Sequence, residues 1–297
     1  MFDMLDTVRD SQAAGIEIAP IGGRIGALIR GVELSGDMPT EQVRAIYAAM
    51  LKYKVVFLRD QFSSDAEMNR FAASLGDPAP YRYDANPVDG DYAWHIDAGE
   101  IRADHWHSDL SWTVDPVSVG ILSPVVLPEY GGETVWSNLA AAYAEMPAPL
   151  QAMADQLWAV HSARKPIQMS FADLSQADLD KEKLFTSENY GTRHPVVTVH
   201  PETGERSLML GNVFSYFDGF TRTPGQHIYE ALQYYATRPE NTIRWHWRLG
   251  DVAIWDNRAT LHYGVRDIDD QARTMRRISL KGVPPRSIDG RCSSRVD

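Results

Sequence analysis

The densest cluster of potential metal ligands in the sequence is Asp104-His105-Trp106-His107-Ser108-Asp109. In an extended segment, residues i and i+2 project to the same side, so His107 and Asp109 can reach one ion together. A third donor must come from elsewhere. The stretch Asp256-Asn257-Arg258-Ala259-Thr260-Leu261-His262 supplies it in His262, on or just after an apolar strand. Two imidazoles and one carboxylate on one face of an octahedral ion leave three positions for a co-substrate and O2, the ligand set used by non-haem iron(II) oxygenases. A bare His-x-Asp pair is common by chance, and the chain has nine histidines, most of which must be ordinary hydrogen-bonded residues. The triad therefore needs companions.

Two are close at hand. Arg273 and Arg277 follow His262 by eleven and fifteen residues, and at a spacing of four on a strand they share a face while Arg276 points away. A guanidinium grips a carboxylate or sulfate through two parallel hydrogen bonds and stays charged at any relevant pH. Two of them on the metal side suggest two anions, whereas the segment read alone fits a basic strand facing solvent equally well. His105 alternates with His107 and Asp109 and would face the same way. A His-x-His start is also how cupin metal motifs begin, but these continue with a Glu several residues on, and no clear equivalent follows. His105 is read as a residue beside the site or at the surface; a cupin-like metalloenzyme using His105, His107 and Asp109 without 2-oxoglutarate is the second reading, and a non-catalytic jelly-roll binding protein the third. Trp136, Trp245, Trp247 and Trp255 are assigned to the core.

The elements that must position these residues come from a chain of 297 residues with 44% hydrophobic and 23% charged residues, ordinary for a globular protein. A net charge of -11 argues against nucleic acid or an anionic membrane as a partner. The single cysteine, Cys292, can form no internal disulfide. No signal-peptide pattern or membrane-length apolar run is present, and a cytoplasmic location is expected. No repeat or linker divides the sequence, so residues 1–297 are read as one domain, with 1–15 a flexible extension. Strands are expected at Ile25 to Val32, Val55 to Leu58, Ser118 to Leu122, Val196 to His200, Leu208 to Leu210, Thr242 to Trp247, Val252 to Trp255 and Met275 to Leu280. Helices are expected from Glu41 to Leu51, from the Ser64/Glu67 capping box to Gly76, and from Thr223-Pro224, with Pro at the first helical position, to about Thr237. Many short strands between turn signals, without a Gly-rich phosphate loop, predict a mostly β chain with flanking helices, a jelly-roll sandwich. The polar stretch from Lys165 to Glu188 is a candidate lid.

These residues resemble the taurine dioxygenase family of iron(II)/2-oxoglutarate enzymes, which includes 2,4-dichlorophenoxyacetate dioxygenase and the oxidative alkylsulfatases. The similarity runs from about Ile18 to Pro285 and rests on WHSDLSW, PEYGGETVWSN, AAYAEMP, HPVVTVHPETGER, ENTIRWHWRLGDVAIWDNRATLHYGVRD and the following Arg-x-x-x-Arg; HPETGER and ENTIRW look closest to the alkylsulfatase branch. The resemblance implies a double-stranded β-helix, iron ligation by His107, Asp109 and His262, and a distal 2-oxoglutarate carboxylate on Thr134 and Arg273. It also implies a small anionic substrate held by Arg277 and the backbone N–H of Leu110, and a homo-oligomer, dimer or tetramer. The implied reaction is oxidation of a C–H bond coupled to decarboxylation of 2-oxoglutarate to succinate and CO2. Two positions depart from the family. Where taurine dioxygenase and the alkylsulfatases place a sulfonate- or sulfate-binding histidine after the Leu75-Gly76 turn, Tyr81 falls near its place, and Ala103 stands where taurine dioxygenase has an asparagine. Taurine itself is therefore not the expected substrate. Tyr81, Tyr83, Trp112 and Phe214 are candidates for an aromatic pocket wall.

Overall fold

The computed structural model describes residues 15–80, 90–98, 103–162 and 191–296. Its largest sheet has eight strands: β1 (Glu17–Pro20), β2 (Ala27–Arg30), β3 (Val55–Leu58), β4 (Pro78–Ala79), β5 (Trp94–Asp97), β6 (Val119–Val126), β14 (Val252–Asp256) and β16 (Thr274–Leu280). The order is β1-β2-β3-β14-β6-β16-β4, with β5 also paired to β16, and only the β2–β3 pair is parallel. A three-stranded sheet orders β13 (Thr242–Trp245), β7 (Thr134–Asn138) and β15 (Thr260–Gly264). A four-stranded sheet comprises β8 (Trp158–His161), β9 (Gly191–Pro195), β12 (Phe214–Phe217) and β17 (Ser294–Val296), and β10 (Val197–Val199) pairs with β11 (Arg206–Leu208).

Alternation along each central strand sorts the core into two layers. In β3 and β14, Val56, Leu58, Val252 and Ile254 face one way and Phe57, Ala253 and Trp255 the other. The first set packs on helices α1 (Thr40–Tyr53) and α2 (Asp65–Leu75) through Ile46, Met50, Met68 and Phe71. The second meets Trp136 of β7 and Trp245 of β13, so the large and small sheets form a jelly-roll sandwich closed by aromatic rings. Phe57 stacks on Trp245 with centroids 4.0 Å apart and meets Trp136 edge-on at 5.4 Å. Each such ring removes about 150–250 Å² from water, an upper bound of about 4–6 kcal/mol. The tryptophans assigned to the core from sequence are there: Trp136, Trp245, Trp247 and Trp255 are all buried. A further apolar cluster lies under α3 (Leu139–Glu145) and α5 (Arg222–Ala236), next to the short helix α4 (Ala148–Ala154).

The Ser64/Glu67 capping box forms as expected, with both reciprocal bonds made. Gly76 ends α2, but with φ 173° it leaves in extended conformation, so no left-handed turn is required there. The expectation that Pro224 opens a helix is corrected: α5 begins at Arg222, and Pro224 sits within the first turn. It is tolerated there because the first N–H groups of a helix have no intrahelical acceptor. The strand expected over Leu208 to Leu210 runs instead from Arg206 to Leu208, where pairing with β10 supplies the hydrogen bonds; Met209 N–H turns away to Val196 O. The N-terminal extension up to residue 14 and the candidate lid lie outside the described residues.

Gly120 on β6 connects core to site. A Cβ there would lie 2.2 Å from the Trp255 ring, and that ring lies 5.0 Å from His262. Gly120→Ala is predicted to cost roughly 1–3 kcal/mol through overpacking, read as a lower urea midpoint at unchanged slope. An unchanged midpoint would show that Trp255 has free space.

Candidate active site

His107 and His262 come from segments 155 positions apart and face each other across an antiparallel bridge. His107 N–H donates to His262 O at 3.0 Å, and His262 N–H donates to His107 O at 2.8 Å. His107 does not lie in a regular strand, as its alternation with Asp109 suggested; it is a single-bridge residue, and Asp109 already belongs to a turn continued by Leu110 at φ 53°. His262 lies within β15, a separate strand following a tight turn after β14.

The donor atoms of His107, Asp109 and His262 all fall within 4.8 Å of one another. Asp109 Oδ1 is 3.7 Å from His107 Nε2 and 3.5 Å from His262 Nε2. His107 Nδ1 lies 2.7 Å from the His105 carbonyl. As that oxygen can only accept, Nδ1 carries the proton and Nε2 keeps its lone pair for a metal. Burial, with His262 alongside, pushes the His107 imidazole down to about 3, so it is neutral at physiological pH. Burial works to raise the Asp109 carboxyl, but the cationic Arg277 above all, with both imidazoles, holds it well below the usual carboxylate range. Two imidazoles, that of His107 neutral, and an ionised carboxylate suit a divalent transition metal with open positions. His105 contributes through its backbone; its side chain is partly exposed and lies 3.6 Å from Asp104.

Arg277 lies on β16 and Arg273 directly precedes that strand, and both reach residues of the site. Arg277 forms an ion pair with Asp109 and reaches Ser279 at 3.3 Å. Arg273 donates through Nε to Gly132 O at 2.9 Å and lies 3.5 Å from Thr134 Oγ1. Arg273 has no carboxylate partner among the described residues, and burial pushes it down to about 10, still cationic near neutrality. A buried guanidinium without an anion is a site for one. Thr134 is buried at the start of β7, and Trp247 Nε1–H donates to its hydroxyl at 3.0 Å. Gly131 and Gly132 shape this corner: both have positive φ, 73° and 68°, and a Cβ on Gly132 would come within 2.9 Å of the Arg273 chain. Arg276 points the other way, as expected, and anchors α2 through Asp65 and the Ser63 carbonyl, both at 2.8 Å.

Tyr81 and Tyr83 lie outside the described residues. Phe214 is stacked on Tyr229 at 4.5 Å within the cluster under α5, and the Trp112 carbonyl accepts from Thr192 Oγ1 at 2.7 Å. Ala103 O accepts from Gly264 N–H at 2.9 Å, at the end of β15. Sequence reasoning missed the buried polar turn after β14. Asp256, fully buried, meets His200 Nε2 at 2.8 Å and Arg258 Nε at 2.8 Å, and Asn257 binds the backbone of Asp109. A usable signal was present: three consecutive polar residues directly after the wholly apolar run Val252 to Trp255.

A jelly roll carrying two histidines, one carboxylate and two inward arginines defines a class of oxygenase, and comparisons with known proteins narrow it. The model of the "Taurine catabolism dioxygenase TauD, TfdA family" matches residues 17–279, and the chain belongs to this family. The chain is 45% identical to an alpha-ketoglutarate-dependent sulfate ester dioxygenase of Pseudomonas putida, over 95% of this chain and 94% of that protein. It is 40% identical to an alkylsulfatase of Acinetobacter baylyi, over 90% and 85%. Among solved structures, a taurine dioxygenase from Burkholderia xenovorans superposes with a TM-score of 0.80 at 34% identity, covering 95% of this chain and 96% of that one. The protein is thus a 2-oxoglutarate-dependent dioxygenase with a jelly-roll fold. No helix among the described residues is long and apolar enough to cross a membrane.

Burial works to raise the Asp256 carboxyl, but Arg258 and His200 hold it well below the usual range. A folded-state pKa below the unfolded value of about 3.9 gives stability that is full above about pH 5 and is lost as pH falls through the folded value. Asp256→Asn is therefore predicted to lower the urea midpoint most near neutrality, with the gap to wild type closing in acid. A gap independent of pH would contradict this.

Proposed function

We propose that the protein is an iron(II) enzyme in which His107, Asp109 and His262 hold the metal, and that it oxidises a small alkyl sulfate ester or a related sulfonate or carboxylate. One observation carries the reading: three donor atoms within 4.8 Å of one another, with Arg277 at the same carboxylate and Arg273 beside Thr134. The sulfate-ester preference is supported by the two relatives named above, at 45% and 40% identity. All described elements that bear on chemistry serve this one centre, so the chain is read as one catalytic domain.

The residues divide the work. Thr134 and Arg273 would take the distal carboxylate of 2-oxoglutarate, the hydroxyl and guanidinium together supplying a charge-assisted, directional grip. Arg277, with the backbone N–H of Leu110 and Tyr81 as further candidates, would orient the substrate anion. Arg277 adjoins Asp109, so the C–H nearest the anion is the one presented to the metal. When bound, iron and 2-oxoglutarate supply the oxidation: O2 is consumed, 2-oxoglutarate becomes succinate and CO2, and one oxygen atom enters the substrate C–H bond. In a sulfate ester the hydroxylated carbon also bears the ester oxygen. Collapse forms the C=O bond, breaks that C–O bond and releases sulfate and a proton, leaving an aldehyde or ketone. The buried aromatic layer behind His262 keeps water from that side of the site.

A succinate-release screen over alkyl sulfates, sulfonates, phenoxyalkanoates and amino acids should single out alkyl sulfates, with sulfate released in step with succinate. Arg273→Ala is predicted to raise the KM for 2-oxoglutarate at least about 30-fold, the loss of one buried charge-assisted contact worth about 2 kcal/mol or more. Arg277→Ala should raise the KM of the sulfated substrate and leave that of 2-oxoglutarate near wild type. Full activity in Arg273→Ala would instead favour a metalloenzyme without 2-oxoglutarate.

A further inference from the structure

We infer that Asn257 is the positioning residue for Asp109, tying the loop that carries the carboxylate to the turn that precedes the His262 strand. Its side chain closes on both backbone groups of Asp109: Asp109 N–H donates to Asn257 Oδ1 at 2.9 Å, and Asn257 Nδ2 donates to Asp109 O at 3.1 Å. The second Nδ2 hydrogen goes to Val117 O at 2.8 Å. The two carbonyls fix which end of the amide is nitrogen. The backbone of Asn257 is equally engaged: its N–H donates to Ser118 O at 2.9 Å, and its carbonyl accepts from Ser108 Oγ at 2.8 Å. Asn257 is 2% exposed, so these bonds form out of water, where an unmade one is costly.

The placement of these contacts gives them a role in the chemistry. Asp109 sits in a turn, where no sheet ladder fixes its backbone, and the residue after it has a positive φ of 53°. The direction of a carboxylate follows its backbone, so an amide gripping both sides of that backbone sets where the carboxylate points. The turn holding Asn257 is itself rigid. Thr260 Oγ1 donates to Asp256 O at 2.8 Å, Leu139 N–H donates to Ala259 O at 2.9 Å, and Asp256 is pinned by His200 and Arg258. Five residues beyond Asn257 stands His262. One short turn thus fixes two of the three donors against each other, the kind of outer support that tunes metal affinity without touching the metal.

This inference rests on the metal reading of the triad, and its test separates the two. Fe(II) is titrated under argon in the presence of 2-oxoglutarate, following the visible charge-transfer absorption, for wild type, Asn257→Ala and Asn241→Ala. Asn241 is a fully buried asparagine that also makes three side-chain hydrogen bonds, to Arg24, Tyr235 O and Glu145, away from the triad. The inference predicts that both variants lose thermal stability. Only Asn257→Ala should weaken Fe(II) binding, by roughly ten- to a hundredfold, with a displaced absorption maximum. Should Asn257→Ala not fold, Asn257→Asp keeps the shape and the acceptor for Asp109 N–H but faces two carbonyls, and it should show the same weakening. A folded Asn257 variant with wild-type affinity and spectrum overturns the inference, whereas absence of the band in wild type overturns the metal reading.

Discussion

Two backbone hydrogen bonds between His107 and His262 hold the candidate metal centre together. An imidazole outside any regular strand and an imidazole on a sheet strand share one small volume because their backbones are bridged directly, N–H to O in both directions. Side chains across such a narrow pair stand within about 4.5–5.5 Å at Cβ, close enough for both rings to converge on one ion. The rest of the fold supports this juncture. β14 leads into the polar turn, β7 flanks β15, and the aromatic layer led by Trp136 and Trp255 backs the His262 ring.

Charge at the centre is arranged around burial. Asp109 is held ionised by Arg277, His107 is held neutral, and Arg273 stays cationic with no acidic neighbour among the described residues. A carboxylate, two imidazoles and two guanidiniums on one face are suited to a cation and two anions. This is the balance a metal, 2-oxoglutarate and an acidic substrate bring. Arg276, one position away on the opposite face, has its partners within the protein and serves packing alone.

Chemistry was legible in the sequence where residue type and period combine. The spacing of four between Arg273 and Arg277 placed both on the site face and Arg276 on the helix face, as the period of a strand requires. The central strands β3 and β14 of the large sheet were readable because both their faces are buried, so they appear as the short apolar runs Val55 to Leu58 and Val252 to Trp255. Less visible were features set by tertiary contact. The His107 bridge leaves no alternating pattern to read, β11 is placed by its partner β10, and α5 starts two residues before its proline. Asn257 was passed over because an asparagine after a strand reads as a turn former; its grip on residue 109 is a contact across 148 positions, which no local pattern encodes.

The central claim is that one ion binds where His107, Asp109 and His262 meet. Calorimetric titration of the metal-free protein with Fe(II) under argon tests it most directly, in wild type and in His107→Ala, Asp109→Ala and His262→Ala. The account predicts a single high-affinity site per chain that is lost in each variant while the circular dichroism of the fold persists. Undiminished Fe(II) binding in any one of the three would contradict it.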